Sequence, residues 1–382
     1  MAEEGALRRT WRRAQPVRAA ARRRLQLPRL FPVLDTFPGY GRRTFTADLL
    51  AGLTVGAVLI PQGMAYALLA GLPPQAGLYA AVLPLVAYAL IGGSRQLGVG
   101  PTAISSLLVA AGIAPLAGGN AAVYVGLAAS LAVMVGLMRL AMGLGRLGFV
   151  VNFLSRPVLS GFTSAAALII AVSQLKHLLG VPIRASEHVH VVVGDAIRHL
   201  GSAHLSTLAI GTVGLVLLWL LRRWQPAWPG PLLVVMAATG AVVAFGLERR
   251  GVKVVGEIPR GLPSLAVPDA DPDHLRELLP TAVAITMLGF IESIAIAKVF
   301  AQRLGYTIKP NRELVALGVA TVAAGVSHAY PVSGSFSRTA VNAATGARTQ
   351  MAAVISAGVV ALTLVVLTPL FRPLPNAVLA SV

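Results

Sequence analysis

Apolar residues run along this chain in long blocks, without the two-residue or 3.6-residue alternation of a half-buried strand or helix. The blocks lie near 48–70, 75–92, 121–143, 150–173, 205–224, 230–247, 279–301, 312–327 and 351–371. Several reach the ~20 residues that span hydrocarbon as a helix. A membrane β-barrel would instead show ten-residue alternating segments. Two further apolar segments, 101–114 and 335–346, would be only about 21 and 18 Å long at ~1.5 Å per residue, too short to cross alone. The last residues, "LPNAVLASV", read as the opening of another span. The pattern predicts an all-α polytopic membrane protein.

Composition agrees. The chain is 56% hydrophobic and 12% charged, against roughly 25% charged in soluble domains. It has no cysteine, so disulfides and thiolate metal sites are excluded. The formal net charge of +18 comes from 28 Arg and four Lys against 14 acids. Arginines sit where topology-setting loops would need them. With the N-terminus in the cytoplasm, Arg95, Arg146, Arg222, Arg223, Arg303 and Arg312 fall on the cytoplasmic side, while "APLAGGN" and "SHAYPVSG" on the other side carry no Lys or Arg. The segment "ERRGVKVVGEIPRGLP" (248–263) runs against this rule and is read as a structured outer loop. Charge of this kind is assigned to topology and anionic lipid, not to nucleic acid. Residues 1–47 hold eleven Arg and three acids and read as a basic cytoplasmic arm with no signal peptide. The "HVH" of 188–190 lies in a histidine-rich stretch, 177–204, read as a solvated outer loop without a metal.

Two regions resemble one another. "AVLIPQGMAYALLAG" (57–71) is followed about forty residues on by "GVGPTAISSLL" (98–108); "LGFIESIAIAKVFAQ" (288–302) is followed at a similar distance by "PVSGSFSRTAV" (331–341). Each pair holds a long helix with a mid-span polar residue, Gln62 or Glu292, then an extended stub ("RQLGVG", "AYPVSG") and a short helix. An odd number of segments per half makes this an inverted-topology repeat, with a first half at 48–251 and a second, incomplete one at 274–382. Both short helices are then expected to start at mid-membrane with their positive N-terminal ends facing one point. Gly100 and Gly334 would admit close backbone approach, and Pro101 is placed at the first helical position. Thr102, Ser335, Ser337 and Arg338 would surround that point. Such broken helices do not by themselves require an anion; a core ion pair between Arg338 and Glu292 is the competing reading.

These stretches resemble the SulP family of anion transporters, the sulfate permeases related to prestin and pendrin. The likeness rests on residues 48–103, on "NFLSRPVLSGFTSAAALI", on "IESIAIAK" and on "PVSGSFSRTAVNAATGARTQ". It implies fourteen segments in two inverted halves, an elevator-type secondary transporter, and no enzyme activity or cofactor. By motif match, Gln62, Tyr66, Thr102, Phe336, Ser337 and Arg338 would line the substrate site and Glu292 would take part in ion coupling. The expected partners are a small anion (sulfate first, then bicarbonate, chloride or dicarboxylates), a coupling proton or sodium, membrane lipid and a second copy in a homodimer. The expected location is the plasma or inner membrane. Relative to the family, segments 12–14 beyond their start and the cytoplasmic STAS domain are not in the sequence.

Three other classes stay in view. A nucleobase:cation symporter of this fold would place carboxylates at the centre, where this chain has Glu292 facing an arginine. A receptor or structural membrane protein would show no uptake of labelled anion. An intramembrane hydrolase built on Ser335 or Ser337 would need a histidine at their depth, and only His328 is near.

Overall fold

The computed structural model describes residues 40–381 except 154–160, 162–163, 166, 170, 173, 182–188, 225–229, 267 and 269–270. The arm 1–39 and part of the expected span 150–173 therefore lie outside the described residues. The chain is helical. Among the described residues, five helices or helix pairs are long and apolar enough to cross a membrane: Arg42–Leu69, Pro74–Ile91, Ala121–Leu144, Pro272–Arg303 and Met351–Phe371.

In chain order these are α1 (Arg42–Leu69), α2 (Pro74–Tyr79), α3 (Leu83–Ile91), strand β1 (Gly98–Gly100), α4 (Ala103–Ile113) and α5 (Ala121–Leu144). Then come α6 (Leu175–Leu179), α7 (Val189–Arg198), α8 (Leu205–Trp224), α9 (Gly230–Ala244), α10 (Pro272–Arg303), α11 (Pro310–Val326), β2 (Ser333–Ser335), α12 (Phe336–Ala344), α13 (Met351–Leu362) and α14 (Asn376–Ser381). Helix starts carry local signals. Asn120 accepts from the N–H groups of Ala122 and Val123, Asp271 accepts from Asp273 N just ahead of Pro272, and Pro74 and Pro310 occupy first-turn positions.

The span expected at 75–92 is present as Pro74–Ile91, with a break at residues 80–82 between its two helices. Two expectations are corrected. Residues 189–198 of the supposed outer loop are helical; Val192, Val193 and buried Ala196 share one apolar face that the histidines obscured. Pro101 is not the first helical residue, because Thr102 is the N-cap and the helix begins at Ala103.

Packing relies on small residues, as helices in lipid must approach closely to gain dispersion energy. A Cβ on Gly136 of α5 would lie 2.9 Å from the Gly318 carbonyl of α11, and one on Gly318 would lie 2.9 Å from the Gly136 carbonyl. Gly143 and Gly325 repeat the contact one heptad away along each helix. α1 and α13 pack the same way at Gly52, whose carbonyl also accepts from Ser356 Oγ at 2.9 Å. Asp48, fully buried on α1, accepts from the N–H groups of Arg348 and Thr349 at 2.7 and 3.1 Å, just ahead of α13. Within this frame β1 packs against α3 and β2 against α10.

Candidate functional site

The two stubs meet. β1 and β2 pair antiparallel, with Gly98 opposite Ser335, Val99 opposite Gly334 and Gly100 opposite Ser333, and all six residues are buried. Each strand runs directly into a short helix. The N-termini of α4 and α12 therefore emerge at opposite ends of a ribbon only about 7 Å long, two residue rises. Non-helical backbone at such depth is tolerated only where protein or a polar cavity satisfies it. Here the partners are each other, Thr339 Oγ1 (accepting from Gly98 N at 3.0 Å) and Ser293 Oγ (accepting from Gly334 N at 2.8 Å).

Glycine is required at this ribbon. Gly100 has φ +148, open to glycine and few others. A Cβ on Gly98 would sit 2.7 Å from the Cβ of Arg338, so the arginine stem lies flat on β1 only because Gly98 has no side chain. Gly98→Ala is expected to cost about 1–3 kcal/mol by overpacking and to lower the melting temperature of the purified protein by several degrees. An unchanged melting temperature would mean that the ribbon is loosely held.

Arg338, third residue of α12, is 1% exposed. Its Nη2 donates to the Pro101 carbonyl across the ribbon at 2.7 Å. Its Nε and Nη1 are buried with no hydrogen-bond acceptor among the described residues. The core ion pair with Glu292 is not formed: no nitrogen of Arg338 lies within 4 Å of a Glu292 carboxylate oxygen. Glu292, half-buried on α10, is instead an electrostatic neighbour of Arg338, with Tyr66 and Tyr330. Gln62 is 7% exposed with an unpartnered Oε1. Thr102 caps α4, its hydroxyl donating to Ser105 Oγ at 3.0 Å. Ser335 and Ser337 hydroxyls are 3.1 Å apart. Phe336 and Ser337 are exposed, the phenyl ring 5.7 Å from that of Phe300, so the site opens past them. Pro101 contributes its carbonyl, Gly334 its close fit against Leu97 and Ser293.

Two features were not anticipated. Arg139 of α5 is fully buried. Its Nη1 donates to Thr321 Oγ1 (2.8 Å) and the Val332 carbonyl (2.7 Å), and its Nη2 to the Ile285 carbonyl (3.2 Å) and Ser333 Oγ (3.1 Å). Five residues from the helix end it looks like a membrane-edge charge. Its phase was the usable signal, since it continues the buried stripe of Ala128, Ala132 and Val135. The second feature is a basic cavity of about 190 Å³ away from the ribbon, lined by Lys176, His177 and Lys253 together with Thr207 and Asn376. Burial foremost, then the two ammonium groups, pushes the His177 imidazole down to about 4.

Comparison with known proteins places these elements. Residues 45–382 match the model of the sulfate permease family. A probable sulfate transporter of Mycobacterium tuberculosis is 42% identical over 353 residues, covering 92% of this chain and 62% of that protein. The structure of the murine solute carrier 26 family member A9 anion transporter in its inward-facing state superposes with a TM-score of 0.88 at 27% identity, over 98% of this chain and 65% of that one. The transmembrane domain of a cyanobacterium bicarbonate transporter gives 0.79 at 27% identity, over 90% and 88%. The chain thus spans less than two thirds of the length of the first two.

Proposed function

The chain belongs to the sulfate permease family, and from that premise we propose that it carries small inorganic anions across a membrane, holding them between the N-termini of α4 and α12. The observation that carries this reading is Arg338: a buried guanidinium whose Nε and Nη1 face no acceptor among the described residues. Leaving buried charged donors unsatisfied is costly. An oxyanion beside Nε and Nη1 removes the cost, and the adjacent helix ends add partial positive charge and free N–H groups. Ser337, Gln62 and Tyr66 would complete the shell. The pairing of β1 with β2, each leading into a half-helix, supports two inverted halves, and with them an elevator-like movement of the ribbon-bearing frame.

Sulfate is the first substrate in this reading, by analogy with the mycobacterial relative, with bicarbonate, chloride and dicarboxylates behind it. Glu292 would couple transport to a proton or sodium. The N-terminus would be cytoplasmic and the membrane the plasma or inner membrane. A nucleobase substrate is disfavoured because the polar centre presents an arginine, not paired carboxylates. The test is uptake of labelled sulfate into proteoliposomes in competition with a panel of unlabelled anions. Competition by small oxyanions but not by uracil supports the reading; competition by uracil alone overturns it.

A further inference from the structure

The central ribbon lies between two buried guanidinium groups. Arg338 reaches the Pro101 carbonyl on one side; Arg139 reaches Ser333, the pairing partner of Gly100, on the other. Arg139 spends four hydrogen bonds, all on neutral acceptors. The two fully buried carboxylates of the described residues are committed elsewhere. Asp48 caps the approach to α13, and Glu313 accepts from Tyr88 Oη and Gly93 N at 2.6 and 2.7 Å. That leaves Glu292 as the acid in electrostatic reach of Arg338. Two fixed positive charges thus face one carboxylate around the ribbon.

We infer that Arg139 is a charge-setting residue of the anion site, making it favour doubly over singly charged oxyanions without touching them. This rests on the central-site reading above. Arg139 adds one positive charge near the ribbon whatever the state of Glu292, and the attraction it adds is twice as large for a dianion as for a monoanion. The linkage is physical and short: Arg139 to Ser333 Oγ, then Ser333 Oγ to Ser105 Oγ at 3.4 Å, then Ser105 to the capping hydroxyl of Thr102. At an effective dielectric of ~20 and a separation of about 10 Å, roughly two strand spacings, one charge changes affinity about tenfold for each unit of ligand charge.

The experiment is calorimetric titration of the purified protein with sulfate and with nitrate, comparing Arg139→Gln, Arg139→Lys and Arg338→Gln with the unmodified chain. Arg139→Gln is expected to lower the sulfate-to-nitrate affinity ratio about tenfold, and Arg139→Lys to keep it. Equal losses for both anions would make Arg139 a mere brace of β2, and no loss would remove it from the site; either overturns the inference. If Arg139→Gln does not fold, Arg139→Met, which also removes the charge, is read by the same ratio: a tenfold fall upholds the charge role, and an unchanged ratio overturns it. Arg338→Gln tests the underlying reading separately. Retained binding of both anions there would defeat the central site itself, whatever Arg139 does.

Discussion

Arg338→Ala should bind sulfate about ten- to a hundredfold more weakly than the unmodified protein, yet melt at the same temperature or higher when no anion is present. The two halves of this expectation have one cause. Losing a charge-assisted contact to an anion costs about 1.5–3 kcal/mol. Among the described residues, however, Arg338 makes a single hydrogen bond, to the Pro101 carbonyl, and leaves Nε and Nη1 without acceptors. Removing it vacates the buried space its stem fills against Gly98 but relieves a buried, unsatisfied charge, and the relief is expected to offset the cavity. Arg139 is the contrast, since its loss strands four acceptors. Melting curves with and without sulfate check the expectation. Sulfate should raise the melting temperature of the unmodified protein and not that of Arg338→Ala. A variant that melts lower but binds sulfate normally would make Arg338 structural.

The second large effect is expected at Glu292. Glu292→Gln should fold normally, hold or increase its anion affinity, and lose accumulation driven by a proton gradient while keeping anion exchange. Normal folding is expected because no ion pair with Arg338 exists to be broken; a true buried pair would instead cost about 3–5 kcal/mol on losing one partner. Affinity should hold because the carboxylate shares the electrostatic neighbourhood of Arg338 and opposes an incoming anion. Loss of coupling follows if the carboxyl carries the proton, since glutamine has its shape but cannot titrate; Gln62, at the matching place 230 positions earlier, already has that form. Size-exclusion chromatography and uptake curves with and without the gradient make the test. A well-folded variant whose gradient-driven uptake matches the unmodified protein would remove Glu292 from coupling.

The architecture around the ribbon was largely legible in the sequence because lipid allows few solutions. Apolar blocks must be helices, and a short block flanked by glycine and proline must be a helix that starts inside. Hence the half-helices at 103–113 and 336–344 fall within a few residues of expectation. What escaped depends on side-chain direction and on partners distant in sequence. Arg139 was hidden by its nearness to a helix end, although its helical phase pointed inward. The Arg338–Glu292 pair looked natural from opposite charges at mid-span; the Pro101 carbonyl, freed by the stub geometry, holds one arm of the guanidinium instead. Thr102 displaced Pro101 from the helix start because a side-chain hydroxyl can accept a free N–H and proline's ring cannot.

The account turns on where an anion sits. Crystals of the protein grown with selenate, a heavier isostere of sulfate, would show it directly by anomalous scattering from selenium. The predicted result is one strong peak within hydrogen-bonding distance of Arg338 Nη1 or Nε, between the N-termini of α4 and α12, absent in Arg338→Ala. Bound selenate with its peak in the Lys176–His177–Lys253 cavity, and none at the ribbon, would contradict the account.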